Sequence, residues 1–365
     1  MAEISIEKYD SNFDMNKVRR EENADIYSLP CAPFDLYGVY YDEDEKCFMR
    51  LPSKVAKTVS EGVSGQTYFT AGGRIRFATD SPTIEIRVTF PYILRMSHMT
   101  IYGQSGFALV EDANCGGERV IYKGMFSPAW NEENGFNRVI EVGEGGLRYY
   151  TLHFPSYGAV TSLEIALKSG SKVASGKKYR DIKPILYYGS SITEGGCASR
   201  PDTIYQATIQ KWNDIDYINL GFSGNAKGER TMAEYLSGID CSLFVCDYDH
   251  NAPNVEHLKK THYPLYKTFR EKNPDTPILF LSRPDYENNW ENETSDDRIK
   301  VIKRTVARAK AEGDDKVYFL SGKTLFGKED RSLCTVDKCH PTDLGFYRMA
   351  QAIYKKMQEI SKEFK

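Results

Sequence analysis

The sequence lacks a long apolar run, a leader-like pattern in its first residues and a strong charge of either sign. No stretch of eighteen apolar residues occurs, so the sequence contains no candidate transmembrane helix. The first residues show neither a basic n-region nor an apolar h-region, and we therefore expect a cytoplasmic location. A formal net charge of -3 gives no reason to expect nucleic acid or a membrane as a partner.

Patterned cysteine and histidine are also missing. No C-x-x-C pair is present, which argues against a zinc site or a disulfide framework and indicates reduced, mostly structural thiols. His250 follows Asp247 and Asp249, but no second histidine has a compatible spacing. We therefore predict no metal and no cofactor. The eight cysteines are at positions 31, 47, 115, 197, 241, 246, 334 and 339.

The length of 365 residues predicts two domains. Residues 34–168 contain short apolar segments, frequent turn residues and almost no helical periodicity, which predicts an all-β sandwich. Residues 83–90 alternate as a half-buried strand should. We also predict a strand near residues 99–103 and a hairpin turn at residues 71–73.

Around this region we predict an N-terminal arm (1–33), a polar, glycine-bearing linker (169–182) and a second domain (183–365). In the second domain buried-looking strands alternate with helical patterns, which predicts an α/β fold with a mainly parallel sheet flanked by helices. The predicted strands are 185–189, 217–222, 242–248, 277–282 and 316–320, and the predicted helices are 202–212, 229–237, 255–272, 294–312 and 343–363.

A serine follows the first strand of that domain. The apolar run at residues 185–188 leads directly into G-S-S-I-T-E-G-G at residues 189–196. In parallel α/β sheets, ligands bind beyond the carboxyl ends of the strands. A serine presented there is a candidate nucleophile, provided that the chain supplies a base, a group that orients the base and donors for an oxyanion.

The best candidate for the base is His340, with Asp337 three residues before it in a non-helical stretch ahead of the last helix. A loop of that length allows the carboxylate to meet the imidazole and set its tautomer. Thr342 or Asp343 would cap the helix that follows. The alternative is that the aspartates are only caps and that His340 is a surface residue.

Donors for an oxyanion are expected at the ends of the next two strands. The second strand ends near Gly224, and the third ends near Asn251. Taken alone, a glycine and an asparagine at these places are also common turn and loop residues. Their order along the chain nevertheless matches what a nucleophilic serine needs.

These segments together resemble the SGNH (GDSL-type) hydrolases. Residues 189–195 are similar to the family's G-D-S-[IL]-[TS]-x-G, which puts Ser191 on the nucleophile and Ser190 in place of the usual aspartate. The resemblance implies that the backbone N–H groups of Ser191 and Gly224 and the side chain of Asn251 form the oxyanion hole. Residues 249–252, D-H-N-A, depart from the family's G-x-N-D, whereas Asp337 and His340 match its final D-x-x-H.

The N-terminal half has a resemblance of its own. Residues 33–38, P-F-D-L-Y-G, are similar to the Asp-Leu-Tyr motif of the β-domain that precedes some bacterial SGNH hydrolases, with Pro33 where glycine is expected. Carbohydrate esterases with a jelly-roll domain ahead of an SGNH domain have a similar arrangement. This resemblance alone points to O-acetylated sugars as substrates.

Five further residues are candidates for substrate contacts. Arg200, Arg283 and Asp285 lie at the predicted carboxyl edge of the sheet, where surface ion pairing or loop anchoring is an equal alternative. His250 lies beside Asn251. Trp290 is either a sugar platform or a core residue.

The sequence thus predicts a serine esterase with a flavodoxin-like SGNH domain after a jelly-roll-like β-sandwich. The predicted substrate is a small molecule or oligosaccharide carrying a short acyl ester, with acetyl favoured. The alternatives are a lipid-type acyl esterase or thioesterase, and a catalytically inert carbohydrate-binding protein. The sequence leaves open whether the chain forms a homo-oligomer and whether the β-domain reaches the active site.

Overall fold

The computed structural model describes residue 10 and residues 21–112, 119–284 and 295–365. The first half of the described chain is mainly β-structure, with three short helices. Its strands are β1 Ala24–Ser28, β2 Asp35–Tyr37, β3 Tyr40–Asp42, β4 Cys47–Met49, β5 Arg74–Thr79, β6 Thr83–Thr89, β7 Phe107–Glu111, β8 Ile121–Phe126, β9 Gly135–Glu141, β10 Arg148–His153, β11 Ser162–Lys168 and β12 Val173–Ser175. Its helices are α1 Ser53–Val59, α2 Glu61–Gln66 and α3 Ile101–Ser105.

Two antiparallel sheets make up this half. One has the order β1-β11-β6-β9, and the other has the order β12-β5-β10-β7-β8 with β2 also paired to β5. The strands β3 and β4 form a separate pair. Apolar residues of both large sheets share one buried cluster, as the alternating pattern of residues 83–90 predicts. These observations confirm the predicted β-domain.

Several local predictions for this half are wrong. A strand was expected at residues 99–103, but helix α3 begins at Ile101. The Thr100 side chain accepts a hydrogen bond from the Gly103 N–H and caps the first turn. Residues 71–73 do form a turn, but Phe69 bridges to Ala159 rather than to β5, so no hairpin results. The predicted arm and linker each contribute an edge strand, since β1 pairs with β11 and β12 pairs with β5.

The second half alternates strands and helices. Its strands are β13 Ile185–Gly189, β14 Tyr217–Gly221, β15 Leu243–Asp247, β16 Ile278–Leu281 and β17 Val317–Leu320. Its helices are α4 Ser191–Glu194, α5 Tyr205–Asn213, α6 Arg230–Leu236, α7 Val255–Lys272, α8 Ser295–Ala311 and α9 Asp343–Ile360. Short 3-10 turns cover Pro201–Thr203, Gly322–Thr324, Arg331–Cys334 and Lys362–Phe364.

These five strands form one parallel sheet in the order β14-β13-β15-β16-β17. A separate apolar cluster covers each face, because the strands are buried on both sides and the helices pack against them. The predicted α/β fold class is thereby confirmed. The order of strands reverses at β13, and open α/β sheets bind ligands at the carboxyl ends of strands beside such a point. No helix within the described ranges is both long and apolar enough to span a membrane.

Candidate active site

The nucleophile candidate lies at the first turn after β13. Gly189 ends this strand, and a Cβ there would lie 1.5 Å from Asp247 Oδ1, so the turn requires glycine. Ser190 is fully buried, and its Oγ accepts a hydrogen bond from the Ile192 N–H, which caps α4. Ser191 is the first residue of α4 and lines an open cleft. The fold therefore distinguishes the two adjacent serines: Ser190 is a cap, and Ser191 is accessible.

Ser191, His340 and Asp337 form a continuous chain of hydrogen bonds. Ser191 Oγ lies 2.8 Å from His340 Nε2, and His340 Nδ1 lies 2.7 Å from Asp337 Oδ2. With the Nδ1 proton directed at the carboxylate, Nε2 is left to accept the serine proton. This is the arrangement by which a histidine activates a serine hydroxyl.

A tight loop holds Asp337 against His340. The backbone N–H groups of Cys339 and His340 both donate to Asp337 Oδ1, at 3.0 and 2.7 Å, and Lys338, directly after Asp337, has a φ of 68°. Burial alone raises the pKa of the Asp337 carboxyl, but the hydrogen bonds from His340 and the Cys339 N–H outweigh it and bring the pKa below its ordinary value. Asp337 is therefore an anion at neutral pH and stabilises a protonated His340.

The start of α9 follows this loop directly. Thr342 is the cap, because its side chain accepts a hydrogen bond from the Gly345 N–H. Asp343 instead accepts from the Ser199 N–H at 3.0 Å and from the Thr203 hydroxyl at 2.7 Å. The helix that begins after His340 is thereby tied to the segment that follows α4.

Gly224 and Asn251 line the same cleft as Ser191. Gly224 has a φ of +68°, and a Cβ there would meet no atom within 4 Å, so glycine serves the backbone conformation and not a crowded contact. The Asn251 amide donates one hydrogen to the Phe222 carbonyl at 2.9 Å, which leaves its second N–H for another acceptor. The two predicted donors thus stand at the cleft beside Ser191.

A buried ion pair connects the β-domain to both walls of the site. Arg50 Nη2 lies 2.9 Å from Glu194 Oε1, and neither side chain is exposed. Arg50 also donates to the Gly221 carbonyl at 2.7 Å, while Glu194 Oε2 accepts from the Ser223 N–H at 2.9 Å. One guanidinium therefore fixes the last residue of the serine helix and the loop that carries Gly224.

The cleft has a volume of about 510 Å³ and receives residues from both domains. From the β-domain come two methionines, a histidine and Tyr157, whose hydroxyl lies 3.0 Å from Ser223 Oγ. The lining residues are Met96, His98, Met99, Tyr157, Ser191, Gly196, Ser223, Gly224, His250, Asn251, Arg283, Cys339 and His340. A larger cavity of about 630 Å³ lies between α6 and α7 and is lined by neither Ser191 nor His340.

A second histidine faces the cleft with an aspartate behind it. His250 Nδ1 lies 3.4 Å from Asp249 Oδ1, and the buried Nε2 has no hydrogen-bond partner among the described residues. Burial lowers the pKa of His250, although Asp249 acts in the opposite direction. His250 is therefore neutral at pH 7 and offers the cleft a hydrogen-bond acceptor when Nδ1 carries the proton.

The other substrate candidates have different outcomes. Arg283 lines the cleft and donates to the Lys338 carbonyl at 3.0 Å, which supports the loop before His340. Arg200 lies outside the lining, with its Nε 3.1 Å from Asp202 Oδ1 and its guanidinium 3.9 Å from the centre of the Tyr122 ring. Asp285 and Trp290 fall outside the described residues.

Comparisons with known proteins match both halves of the chain to one group of esterases. Residues 182–358 match the GDSL-like lipase/acylhydrolase family, and residues 28–173 match the N-terminal domain of SGNH-hydrolase-type esterases. A protein from Bacteroides ovatus described as a GDSL-like lipase has 27% sequence identity and a TM-score of 0.82, over 93% of this chain and 98% of that one. No curated protein sequence matches the chain.

Two further solved structures share the fold at lower identity. Salicylyl-acyltransferase SsfX3 from a tetracycline biosynthetic pathway has 16% identity and a TM-score of 0.76, over 93% of this chain and 98% of that one. The acetyl xylan esterase Est2A from the rumen bacterium Butyrivibrio proteoclasticus has 13% identity and a TM-score of 0.58, over 94% of this chain and 100% of that one.

Proposed function

The chain belongs to the SGNH (GDSL-type) ester hydrolases, and we propose that it is a serine esterase that removes a short acyl group, acetyl in the first place, from a carbohydrate. The observation that carries the proposal is the uninterrupted hydrogen-bond chain from Ser191 through His340 to Asp337. It lies at the strand ends of a parallel sheet and opens into a cleft with room for a small ester.

The proposed reaction has two halves. Ser191 Oγ attacks the ester carbonyl carbon while His340 Nε2 takes the hydroxyl proton, and His340 then gives that proton to the leaving alcohol as its bond to the acyl carbon breaks. Water next attacks the acyl carbon and passes a proton to His340, which returns it to Ser191 Oγ as the acyl–serine bond breaks and the acid leaves. Asp337 holds the imidazole and stabilises its positive charge in both halves.

The oxyanion that forms in each half needs donors fixed in advance. We assign this role to the backbone N–H groups of Ser191 and Gly224 and to the free amide N–H of Asn251. Each assignment is supported by position at the cleft, and for Asn251 by the hydrogen bond that orients its side chain. Each donor of this kind typically raises kcat by a factor of about 10²–10³.

The carbohydrate part of the proposal is supported by the polar groups on the rest of the cleft wall. We assign to His250 Nε2 the acceptance of a hydrogen bond from a substrate hydroxyl, because this nitrogen faces the cleft and has no partner in the described part of the chain. Met96, Met99 and Tyr157 supply an apolar surface from the β-domain, of the size that suits a sugar face or a small acyl group. The named carbohydrate esterase among the structural neighbours is consistent with this reading.

The first experiment measures hydrolysis of an aryl acetate by the wild type, by Ser191→Ala and by Ser332→Ala. Ser332 is an exposed serine near the catalytic loop and is the matched control. We expect the wild type and Ser332→Ala to hydrolyse the ester and Ser191→Ala to lose the activity. Activity that survives in Ser191→Ala contradicts the assigned nucleophile, and an inactive wild type favours the alternative of an inert carbohydrate-binding protein.

The second experiment separates the acyl classes. Aryl esters of two to twelve carbons and an acetylated xylo-oligosaccharide are compared by kcat/KM. We expect the acetyl esters to lead, with a steady fall as the acyl chain grows. A maximum at long acyl chains, or at a thioester, would instead support the lipid-type esterase or thioesterase reading.

A further inference from the structure

Three metal-ligating side chains from different parts of the chain meet at the mouth of the triad. His98 comes from a loop of the β-domain, Cys197 follows the serine helix, and His340 is the proposed base. Each offers one ligand atom, and the three atoms lie within 4.8 Å of one another. The rings of His98 and His340 have their centres 5.9 Å apart.

From this cluster we propose a Zn²⁺-binding site that reversibly inhibits the enzyme. Two imidazoles and one thiolate are a ligand set typical of zinc, which they hold tetrahedrally with the fourth position open to water. Bond lengths of about 2.0–2.3 Å place tetrahedral ligands roughly 3.3–3.6 Å apart, so the cluster has to contract by about 1 Å. The exposed side chain of His98 is free to make that adjustment.

The surroundings of His340 fit a metal ligand as well as a base. Its Nδ1 is engaged by Asp337 at 2.7 Å, which leaves Nε2 as the coordinating nitrogen. A carboxylate on the far nitrogen of a ligating histidine is the usual second layer of a zinc site, where it orients the ring and strengthens its donation. Cys197 is also held in place, because its Sγ lies 3.6 Å from the His98 carbonyl oxygen.

Coordination at His340 Nε2 would remove the hydrogen-bond acceptor of Ser191, which lies 2.8 Å from the same atom in the metal-free arrangement. Zinc binding and serine activation therefore exclude each other. The inhibition rests on the proposed role of His340, but the binding itself does not. The metal takes no part in the proposed hydrolysis.

Binding should release a proton. A cysteine coordinates zinc as the thiolate, so the Cys197 thiol proton must leave on binding. Zinc must displace that proton to gain a thiolate ligand, and its affinity should therefore strengthen as the pH rises.

The binding test uses the full-length protein and needs no activity. Equilibrium dialysis with ZnCl₂ is expected to give one bound ion, and titration with CoCl₂ is expected to give the near-ultraviolet band of a thiolate bound to cobalt. Cys197→Ser should abolish the band, while His98→Asn should weaken binding at least about tenfold. Cys339→Ser is the matched control, because Cys339 lines the same cleft outside the cluster and its loss should leave the band in place.

The inhibition test measures the zinc concentration that halves the aryl acetate rate of each variant, relative to its own rate in EDTA. We expect that concentration to rise at least about tenfold in Cys197→Ser and in His98→Asn, and EDTA to restore the wild-type rate. The absence of a thiolate band in the wild type overturns the site, and so does a band that survives Cys197→Ser. Because His98 is exposed, its variant tests the proposal even if Cys197→Ser does not fold.

Discussion

Replacing Arg50 with methionine should destabilise the protein by about 3–5 kcal/mol, the range found when one partner of a buried ion pair is removed. The structure shows why the loss is large. Glu194 has no exposed surface, and its charged form would lose the guanidinium that lies 2.9 Å away. The Gly221 and Gln66 carbonyls would also lose donors at 2.7 and 3.1 Å. Methionine fills much of the same volume, so the loss reports on charge and hydrogen bonding more than on a cavity.

The assay is urea unfolding followed by two spectroscopic probes, whose coincidence tests the two-state assumption. The matched control is Arg230→Met. Its pair with Glu234 has a similar distance of 2.8 Å, but the side chains are 87% and 48% exposed. Solvent screening limits such a pair to less than about 1 kcal/mol. The double variant Arg50→Met/Glu194→Gln should recover part of the loss, because it removes the buried charge.

The pH dependence sharpens this test. Burial already raises the pKa of Glu194 above its ordinary value, although Arg50 and Ser223 oppose the shift. Without Arg50 the carboxyl should hold its proton to still higher pH, so the variant should lose more stability at pH 8 than at pH 5. A loss no greater than that of Arg230→Met, or one independent of pH, would refute the reasoning.

Three further predictions concern the site. Asp337→Asn should lower kcat by about 10³–10⁴ with little change in KM, because the amide no longer stabilises a protonated His340; steady-state kinetics on an aryl acetate measures this. Asn251→Ala should lower kcat about 10²–10³-fold, because it removes an oxyanion donor. Gly224→Ala should instead lower the free energy of unfolding by about 1–2 kcal/mol, because alanine is strained at a φ of +68°. If the two variants changed kcat and stability to the same extent, these assignments would be contradicted. Burial raises the pKa of Asp247 to about 8, so the folded protein keeps a proton that the unfolded chain loses, and stability should fall as pH rises from about 4 to 8. In the wild type the fall approaches about 1.4 kcal/mol per pH unit for one proton. Asp247→Asn should make stability less dependent on pH, which thermal unfolding of both proteins between about pH 4 and 8 would measure.

The parts of the fold that follow a regular period could be predicted from the sequence. The strands of the parallel sheet are buried on both faces and therefore stand out as continuous apolar runs between helical patterns. Helix α3 does not follow from the sequence pattern, because residues 99–103 include β-branched and aromatic residues, which favour strands, while the helix depends on the single cap at Thr100. The sequence does not predict the burial of Arg50 either, since a single arginine after a short strand is usually a surface residue.

Some residues of the candidate site are predictable from the sequence and others are not. Asp337 and His340 are close in sequence, and Ser191 follows a clearly apolar strand, so local spacing is enough to predict these three. Tyr157 and His98 reach the cleft only because the two domains pack together. Tyr157 is 66 residues from Ser223, and His98 is still farther in sequence from His340, so no local pattern predicts either contact. The sequence predicts only a structural role for Cys197, because its partners are distant in sequence and share no metal-binding spacing with it.

The packing of the two domains bears on how the β-domain should be understood. If it were only a carbohydrate-binding attachment, the walls of the active site would hold together without it. The structure instead places Arg50 between the serine helix and the loop of Gly224, through Glu194 on one side and the Gly221 carbonyl on the other. Tyr157 contacts the same loop at Ser223. The positions of the proposed nucleophile and of the proposed oxyanion donor are therefore set jointly by both domains, and the β-domain is a structural part of the candidate active site.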